Sequence, residues 1–289
     1  LEINKVELEA GLRVEYVDLQ YYVNPNHNTY KSNGYHYIQP FPNVRAAYKI
    51  NQNNKLSVFY NRRVDRPNEV DIRIFPKYDD AEIIKVGNPA LRPQFTNIYE
   101  LGYKTSWQKG YFYAAIYHKQ SDGTISRIAS TDSSQLIYSI MQNAQRSTNS
   151  GIELVLSHEV KKWFLLNFNV NAYYNQIDAF VVNNIYPTVN TFTVSSQEVY
   201  SGNAKASCVF KIPKIADIQV LGTYLAPDII PQGKIAQRFS LDLGIKKSIQ
   251  KGRDILVDIR ENLEFNTIQF QDDIEIKRNV VNSIDIVLN

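Results

Sequence analysis

Apolar and polar residues alternate one by one along much of this chain, beginning near its start. Val6, Leu8, Ala10, Leu12, Val14 and Tyr16 are interleaved with Glu7, Glu9, Gly11, Arg13 and Glu15. An extended strand with this order is apolar on one face and mostly charged on the other. About 11 residues of such alternation match what a tilted strand needs to cross the hydrocarbon layer of a membrane.

The period of two returns downstream. Leu166, Phe168, Val170, Ala172 and Tyr174 oppose a face carrying Asn167, Asn169 and Asn171; Ala204, Ala206, Cys208, Phe210 and Ile212 oppose Asn203, Lys205, Ser207 and Lys211; Phe239, Leu241, Leu243 and Ile245 oppose Ser240, Asp242, Gly244 and Lys246. Weaker versions lie at residues 44–50, 56–60, 99–107, 152–156, 218–224, 255–259 and 284–288. Residues 111–117 are strand-like with apolar residues on both faces, so alternation assigns no inward face there. These segments predict about twelve strands.

The connections between them fall into two classes. Brief polar turns occur at Gln52-Asn53-Asn54, Gln108-Lys109-Gly110, Glu159-Val160-Lys161-Lys162, Pro213-Lys214 and Gln250-Lys251-Gly252. Between them run long excursions, roughly 17–43, 62–96, 120–149, 175–201, 226–236 and 262–279. Strict alternation of short and long connections is the habit of outer-membrane barrels, with short periplasmic turns and long extracellular loops. The expected fold class is therefore all-β, an antiparallel transmembrane β-barrel, with strands starting at Leu56, Tyr111, Phe164, Ala216 and Ile255 running outward. Tyr16, Tyr48, Trp107, Trp163, Tyr174, Tyr200 and Tyr224 sit near strand ends, where amphipathic rings mark membrane interfaces.

Composition supports strands: 20 Tyr and 13 Phe stand against 12 Gly in 289 residues. No run of about 18 apolar residues marks a membrane helix, and the negative mean hydropathy fits a barrel in which every second residue meets water. The net charge of +3 is spread along the chain, which argues against a nucleic-acid partner. Cys208 is the one cysteine, so an intrachain disulfide is excluded.

Several ordered motifs then resemble the barrel region of the TonB-dependent receptors, in particular the outer-membrane β-barrel family common in Bacteroidetes. Ala10-Gly11-Leu12-Arg13 is similar to an early family strand, and Phe41-Pro42 to a later strand opening. Arg62-Arg63-Val64-Asp65-Arg66-Pro67 resembles the Arg-x-x-Arg-Pro element. Gly87-Asn88-Pro89-Ala90-Leu91-Arg92-Pro93 resembles the Gly-Asn-Pro-x-Leu-x-Pro loop ahead of Tyr99-Glu100-Leu101-Gly102-Tyr103, and Asn149-Ser150-Gly151-Ile152-Glu153 the Asn-x-Gly-hydrophobic-Glu opening. Glu261-Asn262-Leu263-Glu264-Phe265-Asn266-Thr267 departs from the family's Asp-Leu-Phe-Asn-Thr element, and Leu288-Asn289 from its terminal aromatic.

The resemblance implies a single barrel region over residues 1–289, belonging to a 22-stranded barrel, in the outer membrane of a Gram-negative bacterium. Leu1 is preceded by no plug domain, signal peptide or TonB-binding box in this sequence, so these are expected outside it. The implied function is a receptor for active uptake of a scarce or large nutrient. Its implied partners are lipid and lipopolysaccharide, TonB through the plug, and a surface lipoprotein lid. Two alternatives stand beside it: a structural or assembly barrel without transport, and a secreted soluble β-sandwich that binds a ligand.

Catalytic chemistry is not expected, and neither is a cofactor. His27, His36, His118 and His158 lack metal-ligand spacing; His118, near an outer strand end, is the one with a catalytic reading, against a solvated loop-base role. Asp79-Asp80 and Asp272-Asp273 have the chemistry to bind Ca²⁺, against the reading of solvated loop carboxylates. Gly233-Lys234 lacks the rest of a phosphate loop. Arg62, Arg63 and Arg66 form a basic cluster at a strand–loop junction, suited either to anchoring the loop or to holding an anion such as a lipopolysaccharide phosphate. Pro67, Pro89 and Pro93 restrict that loop and favour anchoring.

Overall fold

Twelve long strands form, one for each alternating segment. They are β1 Val6–Tyr21, β2 Asn33–Lys49, β3 Asn54–Asp65, β4 Gln94–Trp107, β5 Gly110–Asp122, β6 Arg146–Lys161, β7 Phe164–Ile177, β8 Gln197–Ile212, β9 Ala216–Leu225, β10 Arg238–Gln250, β11 Arg253–Leu263 and β12 Asn282–Leu288. The structure is a computed structural model and describes residues 2–27, 30–77, 83–131, 136–184, 189–250, 253–263, 266–270, 275–278 and 282–288. Each strand pairs antiparallel with its neighbours in chain order, and the short segment Glu2–Ile3 pairs with the start of β1.

The register extends the alternation from single strands to the whole sheet. Val6 lies beside Tyr48, Tyr48 beside Leu56, and the row continues through Tyr103, Ala114 and Leu154. It runs on through Val170, Ala204, Tyr224 and Phe239. Every member is apolar or aromatic. One residue along, an adjacent row places Glu153, Asn171 and Asn203 side by side on the opposite face.

The apolar face lies open, with Leu12, Val14 and Tyr16 exposed to 68%, 59% and 71%. A soluble sandwich would cover such a face with a second sheet. Lipid is the solvent that fits it. On β4, Tyr99 and Trp107 share this face eight residues apart, about 27 Å along the strand. A tilt of roughly 40° reduces that to about 20 Å of height, close to the apolar band of an outer-membrane barrel.

The seven aromatic residues near strand ends fall at two levels of this face. Tyr48, Trp107 and Trp163 lie toward the short turns, and Tyr16, Tyr174, Tyr200 and Tyr224 toward the long connections. The short connections, residues 50–53, 108–109, 162–163 and 213–215, share one end of the sheet. Lys214 takes a left-handed conformation, φ 67°, to close one of them.

The sequence reading needs correction at the other end, because its long excursions are not irregular loops. β1 and β2 continue as a paired ribbon to Tyr21 and Asn33, inside the stretch 17–43 expected to be loop. The strands Ile83–Val86, Ile137–Asn143 and Ile125–Thr131 form a three-stranded sheet, Phe180–Asn184 pairs with Asn190–Val194, and Asp228–Ile230, Gly233–Ile235, Asn266–Phe270 and Glu275–Arg278 form a four-stranded one. Beyond lipid a strand no longer meets apolar solvent on one side and water on the other, so the single-residue alternation that betrays a membrane strand is no longer imposed.

These outer elements pack into a cap, and the buried core of the described residues lies there. One cluster gathers Ile128, Ala144, Ile177, Phe180, Val182, Val194 and Ile229. A second joins Val23, Tyr30, Ile84, Val86, Tyr138 and Ile140.

Candidate functional site

The face opposite the lipid-type face is polar, and its order begins with two glycines. A Cβ on Gly102 would collide with the hydroxyl end of Tyr113, and one on Gly151 would lie 2.7 Å from the Tyr117 hydroxyl. Both tyrosines come from β5, and each lies over a glycine of a flanking strand. Tyr113 then reaches and donates to Glu100, while Tyr117 donates to Asn171 at 3.0 Å. On the same face Asn169 donates to Glu153 at 2.9 Å, and Glu7 pairs with Lys49 at 2.9 Å and with Lys55.

These contacts settle the face of β5. Tyr111, Tyr113, Ala115 and Tyr117 point to the polar side, and Phe112, Ala114 and Ile116 share the apolar side with Leu156, Leu154 and Ile152. Both faces of the segment carry bulky residues because tyrosine presents a ring to a glycine and a hydroxyl to a polar partner.

Higher on the polar face is a cavity of about 500 Å³, walled by Tyr117, Asn149, Asn171, Tyr173, Asn175 and Asn203 among others. Asp228 approaches it from the cap, accepting from the Tyr173 hydroxyl at 2.8 Å and from Asn175 Nδ2 at 2.9 Å. The loop carrying Asp228 is itself tied down. The Gln232 side chain accepts from the Ala129 backbone N–H and donates to the Ala129 carbonyl at 2.7 Å, as a strand neighbour would.

The Gly87–Pro93 loop enters the middle of the cap. Asn88 is buried; its Nδ2 donates to the Met141 carbonyl at 3.0 Å and to Gln142 Oε1 at 2.8 Å, and its Oδ1 accepts from the Ala90 N–H at 2.9 Å. Gln142 passes the chain of bonds on to Asn184 at 2.7 Å. Three long connections thus meet in one ladder of buried amides, where an unpaired group would be costly. Leu91 is 1% exposed. Gly87 packs so tightly on the Arg73 backbone that a Cβ has no room, and its carbonyl accepts from the Tyr30 hydroxyl at 3.1 Å. The Arg92 N–H and carbonyl are both held by the Asn143 side chain. Pro89 and Pro93 bracket these contacts in the sequence.

The three arginines have separate neighbours. β2 and β3 stop pairing above Asn43 and Asn61, and the ribbon of β1 and β2 continues past the top of β3. Arg62 donates to Gln39 at 3.0 Å and stacks over Phe95, 5.7 Å from the ring centre. Arg66 donates to the Tyr37 hydroxyl at 2.9 Å and pairs with Glu15. Phe95 also meets Phe41 and Tyr37. Arg63 lies 3.6 Å from Asp65 instead.

The histidines are not brought together. His118 bonds Ser150 at 2.8 Å beside Tyr99, His158 accepts from Trp107 at 3.0 Å, His36 pairs across the ribbon with Asp18, and His27 accepts from the Tyr30 N–H. Among the described residues no group of three or more His, Cys, Asp or Glu side chains is placed to hold a metal ion. Asp79-Asp80 and Asp272-Asp273 lie outside the described residues. What the sequence reading missed is the cavity wall: of the three asparagines it placed on one face of β7, Asn171 lines the cavity, joined there by Asn175 and by Asn149 and Asn203 from the flanking strands.

Comparison with known proteins agrees with this architecture. The sequence model of the outer membrane protein beta-barrel family matches residues 1–284. Among solved structures, the copper transporter OprC superposes with a TM-score of 0.64 at 11% identity, covering 99% of this chain and 44% of that one. The ferric yersiniabactin uptake receptor FyuA from Yersinia pestis gives 0.58 at 13% identity over 98% and 42%, and the FrpB iron transporter from Neisseria meningitidis 0.57 at 11% identity over 99% and 43%. Such identities carry the fold, a long antiparallel sheet matching part of a TonB-dependent receptor barrel. The chain spans less than half the length of each of these structures. No curated protein matches it by sequence.

Proposed function

From the chain's place in the outer membrane protein beta-barrel family, to which it belongs, we infer that it is the wall of a TonB-dependent receptor for active uptake of a scarce or large nutrient. The observation that carries this reading is the pairing of a polar, cavity-bearing inner face with a cap whose long connections are locked together. Such a wall holds a ligand below ordered outer loops while presenting a uniformly apolar exterior to lipid. The cargo passes chemically unchanged, so no side chain is assigned a catalytic role.

In this reading the sheet is about half of a 22-stranded wall, and its exposed edges pair with further strands, since unpaired backbone groups in lipid cost several kcal/mol each. A plug inside the complete wall couples to TonB, lipid and lipopolysaccharide surround it, and a surface lipoprotein is a candidate lid. Arg62, Arg66 and the Gly87, Asn88, Pro89, Leu91 and Pro93 segment hold the rim and cap; Arg63 sits beside them without bridging strands.

The test is uptake. Cells carrying the complete gene are expected to accumulate or grow on a cargo only when TonB is present, and deletion of the gene abolishes this. A complete gene whose loss leaves nutrient entry intact while disturbing surface-protein display points to the assembly barrel instead.

A further inference from the structure

We propose that the cavity on the polar face binds a neutral, hydroxyl-rich ligand of the oligosaccharide class; this rests on the receptor reading and narrows its cargo. The argument is from the lining. Besides the tyrosines and asparagines already placed, the wall contains Gln94, three small hydroxyls from Ser121, Thr124 and Ser147, and a single ion, Lys119.

The hydrogen-bond ledger shows what remains free for a ligand. Among the described residues the Asn149 and Asn203 carboxamides make no side-chain hydrogen bond, Asn171 spends only its oxygen on Tyr117, and Asn175 spends only its nitrogen on Asp228. Donors and acceptors are therefore left side by side. A row of sugar hydroxyls, each both donor and acceptor, matches that mixture. Two tyrosine rings, Tyr117 and Tyr173, add flat surfaces at the wall.

Other cargo classes fit less well. An anionic metal chelate calls for several guanidinium or ammonium groups, whereas Lys119 is the one cation among the described lining residues and the Asp228 carboxylate, bonded to Tyr173 and Asn175, adds a negative charge at the wall. A peptide calls for apolar pockets to seat alternate side chains, and none of the described residues lining the cavity is aliphatic. At about 500 Å³ the space falls within the range of small-ligand sites. Its geometry is fixed in advance, with walls on paired strands and Asp228 held by Tyr173 and Asn175.

The experiment is calorimetric titration of the complete receptor in detergent with maltohexaose, xylohexaose and mannohexaose. A neutral hexapeptide and a ferric tris-catecholate serve as competing probes. We expect at least one oligosaccharide to bind, and Asn149→Leu and Asn203→Leu each to weaken it at least tenfold while heat-modifiable gel migration stays unchanged. The proposal is overturned when none of the oligosaccharides binds, when both variants bind as tightly as the parent, or when the peptide or chelate binds and these variants weaken it. Uptake of the same labelled oligosaccharide with and without TonB separates the two readings. Binding without TonB-dependent entry removes the transporter and keeps the site; TonB-dependent entry of a chelate without oligosaccharide binding does the reverse.

Discussion

At the scale of single residues, the glycines of the two family-like strand motifs have a mechanical reason. Gly102 and Gly151 are the floor on which Tyr113 and Tyr117 lie, and the acidic residue two positions from each, Glu100 or Glu153, accepts a bond from the same polar face. Gly102→Ala is expected to push Tyr113 off its site and cost about 1–3 kcal/mol, read as a lower unfolding temperature in detergent. In a Tyr113→Ala background most of that cost should vanish, because the clash and the bond are the same contact; additive losses would show that the glycine serves some other purpose. The arginines make a different case. Replacing Arg62 and Arg66 together by alanine is expected to lower cargo uptake and loosen surface protease resistance in parallel, since their partners Gln39, Tyr37 and Glu15 belong to the neighbouring ribbon. Loss of uptake with unchanged protease resistance would mean that they touch the cargo.

Among elements, the cap is held by side-chain amides as much as by strand pairing. Asn88→Leu leaves Gln142 and the Met141 carbonyl without their partner, a penalty of about 1–3 kcal/mol. Limited proteolysis on intact cells should then cut both in the 62–96 connection and in the 125–143 hairpin; cutting confined to the first would show that the two do not open together. The wall strands were legible in the sequence because lipid on one side and water on the other force a period of two, and twelve strand segments and the short turns at one end of the described sheet were read on that ground, whereas the outer strand ends run further than expected. β5 was ambiguous because its inward rings are themselves large and partly apolar. The cap strands were illegible for a related reason: Ile83–Val86 and Ile137–Asn143 are covered by other connections rather than by a uniform solvent, so their pattern reflects partners far away in the chain. The cavity wall was visible as asparagines in register but not as a site, since enclosure depends on Asp228, which belongs to a different connection and bonds Tyr173 and Asn175 from more than 50 residues away.

For the whole molecule, the two faces of the sheet predict opposite tolerances to charge. Leu101→Arg on the apolar face should destabilise the barrel by about 2–4 kcal/mol in lipid vesicles. Asn169→Arg, one strand surface away on the polar face, should cost well under half of that, and equal costs would contradict the assignment of faces. The order of pairing has a further consequence, for the route by which such a sheet is built. Wall strands pair with their neighbours in the chain, and the turns at residues 50–53, 108–109, 162–163 and 213–215 close short loops at little entropic expense, whereas Ile83–Val86 must find Ile137–Asn143 and Gly233–Ile235 must find Asn266–Phe270 across long stretches of chain. Contacts of low sequence separation form fast and distant ones slowly. The wall is thus expected to zip hairpin by hairpin into the bilayer, with the cap closing over it afterwards, so that the ligand cavity is the last part of the molecule to come into being.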